Sequence, residues 1–101
     1  MKRCYPNYDV EAINKWELVR ETPYSSSNHV QTSAGEFIVD IQYTPEIVLT
    51  ITIAHNGILS KNKLEPILKQ CGLLAKARGN YKIINYTIAD NNGITFGNYG
   101  I

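Results

Sequence analysis

A chain of 101 residues with a net charge of +1 has room for one domain with one small core, and its bulk charge does not by itself call for a polyanion partner. Hydrophobic residues make up 44%, with Tyr 7, Phe 2 and Trp 1, so much of the packing surface carries a hydroxyl that must reach water or a partner. No run approaches the roughly 18 unbroken apolar residues of a membrane-spanning helix, and a water-soluble domain is predicted.

Asp9 is a candidate N-cap, with Glu11 in the first turn and Val10, Ile13 and Trp16 at spacings that share a helical face; the pattern predicts a helix from about residue 10 to 19. Residues 22–35 are rich in turn formers and are expected to form a loop holding at most a short strand. From Glu36 to Tyr43, Phe37, Val39, Ile41 and Tyr43 alternate with Asp40 and Gln42, the pattern of a half-buried strand. Thr44-Pro45 punctuates it. Ile47 to Ala54 is then a β-branched strand with Ile47, Leu49, Ile51 and Ile53 on one side, followed by a turn at His55-Asn56-Gly57.

Leu64, Ile67, Leu68, Cys71 and Leu74 fit a helical stripe, but Pro66 belongs in a first turn and Gly72 interrupts the pattern, which predicts a short helix over about 63–71 and then a basic loop. Two strand-forming runs flank Ala89-Asp90-Asn91-Asn92-Gly93, the chemistry of a tight hairpin. Lys82 starts one of these strands. Gly97 lies near the end of the other, where a side chain could have faced a site.

Charge is unevenly spread. Residues 1–60 carry a balance of −3, whereas Lys61, Lys63, Lys69, Lys76, Arg78 and Lys82 against Glu65 give residues 61–82 a balance of +5. Such a segment is either a solvated helix face or a surface for phosphates, and its six cations are the RNA-binding candidates. Cys4 and Cys71 permit one disulfide in a secreted protein and none in a cytosolic one; a bridge would close a long loop worth about 4 kcal/mol. They form no zinc motif and no metal or cofactor is implied.

In order along the chain, Cys4-Tyr5-Pro6-Asn7-Tyr8-Asp9-Val10, Gly79-Asn80-Tyr81-Lys82-Ile83-Ile84 and Asn92-Gly93-Ile94-Thr95 resemble segments of the small fungal guanine-specific ribonucleases of the T-one type. Those enzymes need a base, an acid and cations around the scissile phosphate. The resemblance maps their last-strand His onto Gly97 and their Arg onto Lys82, which lacks the planar fork of a guanidinium. Their Tyr-x-His falls on Ser27-Asn28-His29. Their Glu falls on Glu46 by spacing, while Leu64-Glu65-Pro66-Ile67-Leu68 copies the local wording one place out of register; Glu46 is preferred because residues 63–71 fit a helix.

A ribonuclease scaffold stripped of its acid is similar to the ribonuclease-like secreted effectors of powdery mildew fungi. That resemblance implies an α+β fold with one N-terminal helix on a four- or five-stranded antiparallel sheet, as a single domain over residues 1–101. It implies a monomeric, non-enzymatic protein, secreted and then active in the host cell cytoplasm. Its partners would be a host plant protein, an intracellular immune receptor among them, and RNA. His29, Glu46 and Lys82 are then vestigial, and Cys4 and Cys71 a candidate disulfide. The alternatives are an endoribonuclease using His29, Glu46 and Lys82, and a bacterial or phage toxin or inhibitor of unrelated descent.

Overall fold

A computed structural model describes residues 3–4, 13–33, 35–43, 47–57 and 61–101. Its strands are β1 (Arg3–Cys4), β2 (Ile13–Thr22), β3 (Ser25–Thr32), β4 (Gly35–Gln42), β5 (Val48–His55), β6 (Ile83–Asp90) and β7 (Gly93–Gly100). One helix, α1 (Lys61–Arg78), stands between β5 and β6. The strands form a single sheet in chain order, with six full strands and the two-residue β1 at one edge. All neighbours are antiparallel except β5 and β6, because a parallel pair needs a crossover and α1 supplies it. The expected N-terminal helix on an antiparallel sheet of four or five strands is therefore replaced by a mixed sheet whose helix follows the fourth full strand.

The segment expected to be helical from about residue 10 to 19 is β2 over its described part, residues 13–19; Asp9 and residues 10–12 lie outside the described residues. The physical reason is an irregularity in the β2–β3 register between Ile13 and Lys15, the first of two along the strand. An extra residue in a strand resets which face follows. Ile13 and Trp16, three apart, thus both point into the core, and the spacing imitates a helical stripe.

The expected loop over 22–35 contains a full strand, β3, for a different reason. Its inward positions are Ser26, Asn28 and Val30, and the polar ones are satisfied inside the protein. Asn28 accepts a bond from Trp16 Nε1 at 3.1 Å and donates to the Val39 carbonyl at 3.1 Å and to Ser26 Oγ at 3.3 Å. Buried polar groups that are fully paired sit in a core at little cost.

The strands at 35–42 and 48–55 and the terminal hairpin agree with the alternation in the sequence. The hairpin turn is Asn91-Asn92, closed by Asn92 N–H donating to Asp90 Oδ1 at 2.9 Å, with Gly93 at φ 106°. α1 runs far past the expected 63–71, through the supposed basic loop to Arg78. Pro66 removes one hydrogen bond inside it. Gly72 lies inside α1, where a β-carbon would make ordinary van der Waals contact with the Ile101 side chain at 3.5 Å.

One face of the sheet and the buried stripe of α1 enclose the core: Trp16, Val30, Phe37, Val39, Ile41, Leu49, Ile51, Ile53, Ile84 and Ile88 from the strands, and Leu64, Ile67, Leu68, Cys71 and Ala75 from the helix. The molecule measures 32 × 30 × 21 Å, the thickness of one sheet layer and one helix layer. The outward face of β5, β6 and β7 has four rows set by register: Val48, Ile83 and Gly100; Thr50, Asn85 and Asn98; Thr52, Thr87 and Phe96; Ala54, Ala89 and Ile94. No charged residue occurs in any of them.

Candidate functional site

On the helix side of the sheet, Lys69, Leu73 and Lys76 stand at spacings of four and three and form one ridge along α1. Opposite the ridge runs β7, the last strand of the sheet. Between them lies a groove of about 250 Å³ lined by Lys69, Gly72, Leu73, Lys76, Tyr99, Gly100 and Ile101. Its floor is apolar and Leu73 is 48% exposed beside it. Past Lys76 and Ile101 the groove opens into a depression of about 770 Å³ bounded by Ile47, Gly79, Asn80, Tyr81 and Lys82.

Hydrogen bonds hold that end together: Lys82 N–H donates to the Ile47 carbonyl at 2.8 Å and Ile101 N–H to the Lys82 carbonyl at 2.9 Å. Lys69 and Lys76 line the groove, Lys76 and Lys82 the adjoining depression, and no carboxylate side chain is among the residues lining either.

The other cations of the basic segment are dispersed by the phase of the helix. Lys63 donates to Ser33 Oγ at 3.3 Å. Arg78 is ion-paired with Glu21 and stacks over the Tyr43 ring at 4.1 Å from its centroid, a geometry that joins the end of α1 to β2 and to the end of β4. The Lys61 side chain lies outside the described residues. Of six candidates, three converge.

The ribonuclease set is not assembled. His29 lies on β3 in the register row of Ile38, Ala54 and Ala89, whereas Lys82 precedes Ile83, which pairs with Val48. Six residues of strand separate the two rows, about 20 Å. Glu46 lies outside the described residues. His29 faces Glu36 across 3.5 Å, and the register places Glu17 opposite it on β2.

His55 ends at the same edge of the sheet, stacked on Phe37 at 4.0 Å between ring centroids, with Nδ1 3.0 Å from the Glu36 carbonyl. Its ring supports the bare α-carbons of Gly35 and Gly57, both at positive φ. It is a packing residue. His29, Glu36, His55 and Asp90 line a depression of about 500 Å³ there, but no group of three metal-ligating side chains occurs among the described residues.

Comparison with protein-family models, with curated proteins and with solved structures found no match.

Gly97 has a reason that the sequence does not display. It pairs with Tyr86 across β6 and β7, and the phenol ring lies over it. An aromatic ring across a cross-strand glycine shields the exposed backbone and restores packing. Cys71 is a free thiol, fully buried in the helix–sheet core, rather than half of the anticipated bridge; the Cys4 side chain lies outside the described residues. Burial also raises the pKa of the Cys71 thiol, so it is neither nucleophile nor metal ligand at neutral pH.

The groove itself was missed in the sequence. The one signal for it was the Lys69–Leu73–Lys76 spacing, which needed a helix running beyond residue 71 to be seen.

Proposed function

We propose that this chain is a binding module that takes up an extended, acidic segment of a partner protein beside β7. The partner strand adds to the edge of the sheet, its apolar side chains enter the groove against Leu73, Tyr99 and Ile101, and its carboxylates meet Lys69 and Lys76. The observation that carries the reading is the character of that edge. Residues 93–100 contain no charge and no proline, although an exposed edge strand is ordinarily protected by lysine, proline or a bulge. An unprotected edge beside an apolar, lysine-bordered groove has the chemistry of strand addition, in which the main chain supplies affinity and alternate side chains supply specificity.

The host-cell effector role rested on a ribonuclease-like scaffold, and the mixed sheet removes that support. What survives of the expectation is a protein whose surface binds a partner. RNA is the competing ligand for Lys69, Lys76 and Lys82.

The test is fluorescence anisotropy with the full chain and three probes of equal length: a peptide alternating Leu with Glu, its counterpart alternating Leu with Lys, and an oligoribonucleotide. Binding of the Leu/Glu peptide alone, weakened at least tenfold in the Lys69→Glu, Lys76→Glu double variant, is the expected result. Binding of the oligoribonucleotide with a steep salt dependence and no peptide binding transfers the groove to RNA. Indifference of every probe to the double substitution overturns the reading.

A further inference from the structure

The outward face of β5, β6 and β7 lies on the opposite side of the sheet from the groove and poses a separate problem. None of its four outward positions on each strand is charged, yet Ile83, Ile94 and Phe96 are 40%, 67% and 76% exposed there. An antiparallel or mixed sheet with one wet face ordinarily alternates apolar inside with polar and charged outside. Depletion of charge together with an exposed aromatic is instead the composition of an interface.

We infer that this face packs on the same face of a second copy of the chain, forming a two-layered sheet pair about a two-fold axis. Three observations favour a second copy over a different partner. First, a two-fold interface brings one patch onto itself, so it must carry its own complement. Phe96 projects from β7 beside a depression of about 370 Å³ whose outward walls include Thr50, Asn85, Thr87 and Asn98, so a knob and a hollow lie side by side.

Second, a patch without charge has nothing to repel its own image, and amides and hydroxyls such as Asn85, Asn98 and Thr87 serve as both donors and acceptors to identical groups. A partner of defined charge would have left a complementary charge on these strands. Among the described residues, the acidic and basic side chains of the open face, Lys15, Glu17, His29, Glu36 and Asp40 among them, lie on β2, β3 and β4.

Third, the open face of the whole sheet, outlined by extents of 32 × 30 Å, is large enough for the roughly 800 Å² per partner of a stable complex, with the uncharged strands β5, β6 and β7 as its core and the charged strands as its rim. The arrangement leaves the outer edge of β7 and the lysine groove open, and so stands independently of the proposed strand addition. It replaces the monomer expected from the sequence.

Sedimentation equilibrium of the full chain distinguishes the outcomes. The expected result is a dimer that becomes monomeric in Thr52→Arg, which places a charge on β5, a strand with neighbours on both sides, while Tyr24→Glu, a substitution in the β2–β3 turn, leaves the dimer intact. A dimer formed by edge pairing of β7 would survive Thr52→Arg, and that survival refutes the face-to-face arrangement. A wild-type chain that stays monomeric at every concentration refutes it equally. Far-UV circular dichroism and the fluorescence of Trp16 confirm that each variant is folded, and Thr87→Arg, on β6 with neighbours on both sides, serves in place of Thr52→Arg should that variant unfold.

Discussion

The Tyr86 ring lies over Gly97, so close that a β-carbon at position 97 would stand 2.7 Å from Cε1 and closer still to Cζ and the hydroxyl. Glycine is therefore required at this place by its cross-strand neighbour, in a strand where glycine otherwise costs about 0.5–1 kcal/mol relative to alanine. Gly97→Ala should lower stability by about 1–2 kcal/mol in the wild-type chain, because the ring must leave its position. In a Tyr86→Thr background the same substitution should become neutral or stabilising. A double-mutant cycle in urea reads the coupling directly, and an equal effect of Gly97→Ala in both backgrounds would show that the ring is not the cause.

Asn28 joins three elements of the core through Trp16, Ser26 and Val39. Asn28→Leu keeps the branched shape but strands the indole N–H without a partner inside the protein, at about 1–3 kcal/mol, and removes the side-chain hydrogen bond to the Val39 carbonyl. A loss of about 3 kcal/mol in chemical denaturation is expected, followed through the fluorescence of Trp16, the sole tryptophan. A loss under about 0.5 kcal/mol would mean that these groups find other partners.

Cys71 gives a pH dependence whose sign is set by burial. Desolvation raises the pKa of the thiol in the folded protein far above its ordinary value of 9.0, so the folded state keeps the proton while the unfolded state loses it. Stability associated with this group is intact below the unfolded pKa and falls by about 1.4 kcal/mol per pH unit above about pH 9. The slope of unfolding free energy against pH between about 9 and 10 should be less steep in Cys71→Ala by about 1 kcal/mol per unit, approaching the full value only at higher pH. Identical slopes would show that the thiol ionises equally in both states. Native Cys71 should also resist thiol reagents until the chain is unfolded.

Where apolar and polar residues alternate without interruption, the secondary structure can be read from residue order. Phe37, Val39 and Ile41, then Leu49, Ile51 and Ile53, point inward as their period of two requires. Asn91-Asn92-Gly93 closes the hairpin that its turn chemistry predicts. β2 was hidden because the register shift between Ile13 and Lys15 gives Ile13 and Trp16 a helical spacing. β3 was hidden because Ser26 and Asn28 look like loop residues until Trp16 and Val39 are beside them. The same is true of Gly97, which imitated a lost catalytic position until Tyr86 was seen to occupy the space.

The candidate surfaces follow that pattern. The excess of lysine over residues 61–82 is plain in the sequence, but its meaning depends on the direction in which each side chain leaves α1. Helical phase sends Lys69 and Lys76 to the groove, Lys63 to Ser33 and Arg78 to Glu21 and Tyr43. The absence of charge on the outward face of β5–β7 is invisible along the chain because partners such as Val48 and Ile83 or Ala54 and Ala89 lie far apart in sequence, and only the register brings the rows together.

Residue order alone determined the uninterrupted strands, the terminal hairpin and the concentration of positive charge, because each depends on neighbours a few positions away. The order of strands, the parallel crossover, the burial of Cys71 and the convergence of three lysines depend on residues far apart in the chain. For those, bulges, long-range hydrogen bonds and helix–sheet packing outweigh local pattern, and folding alone brings the partners together.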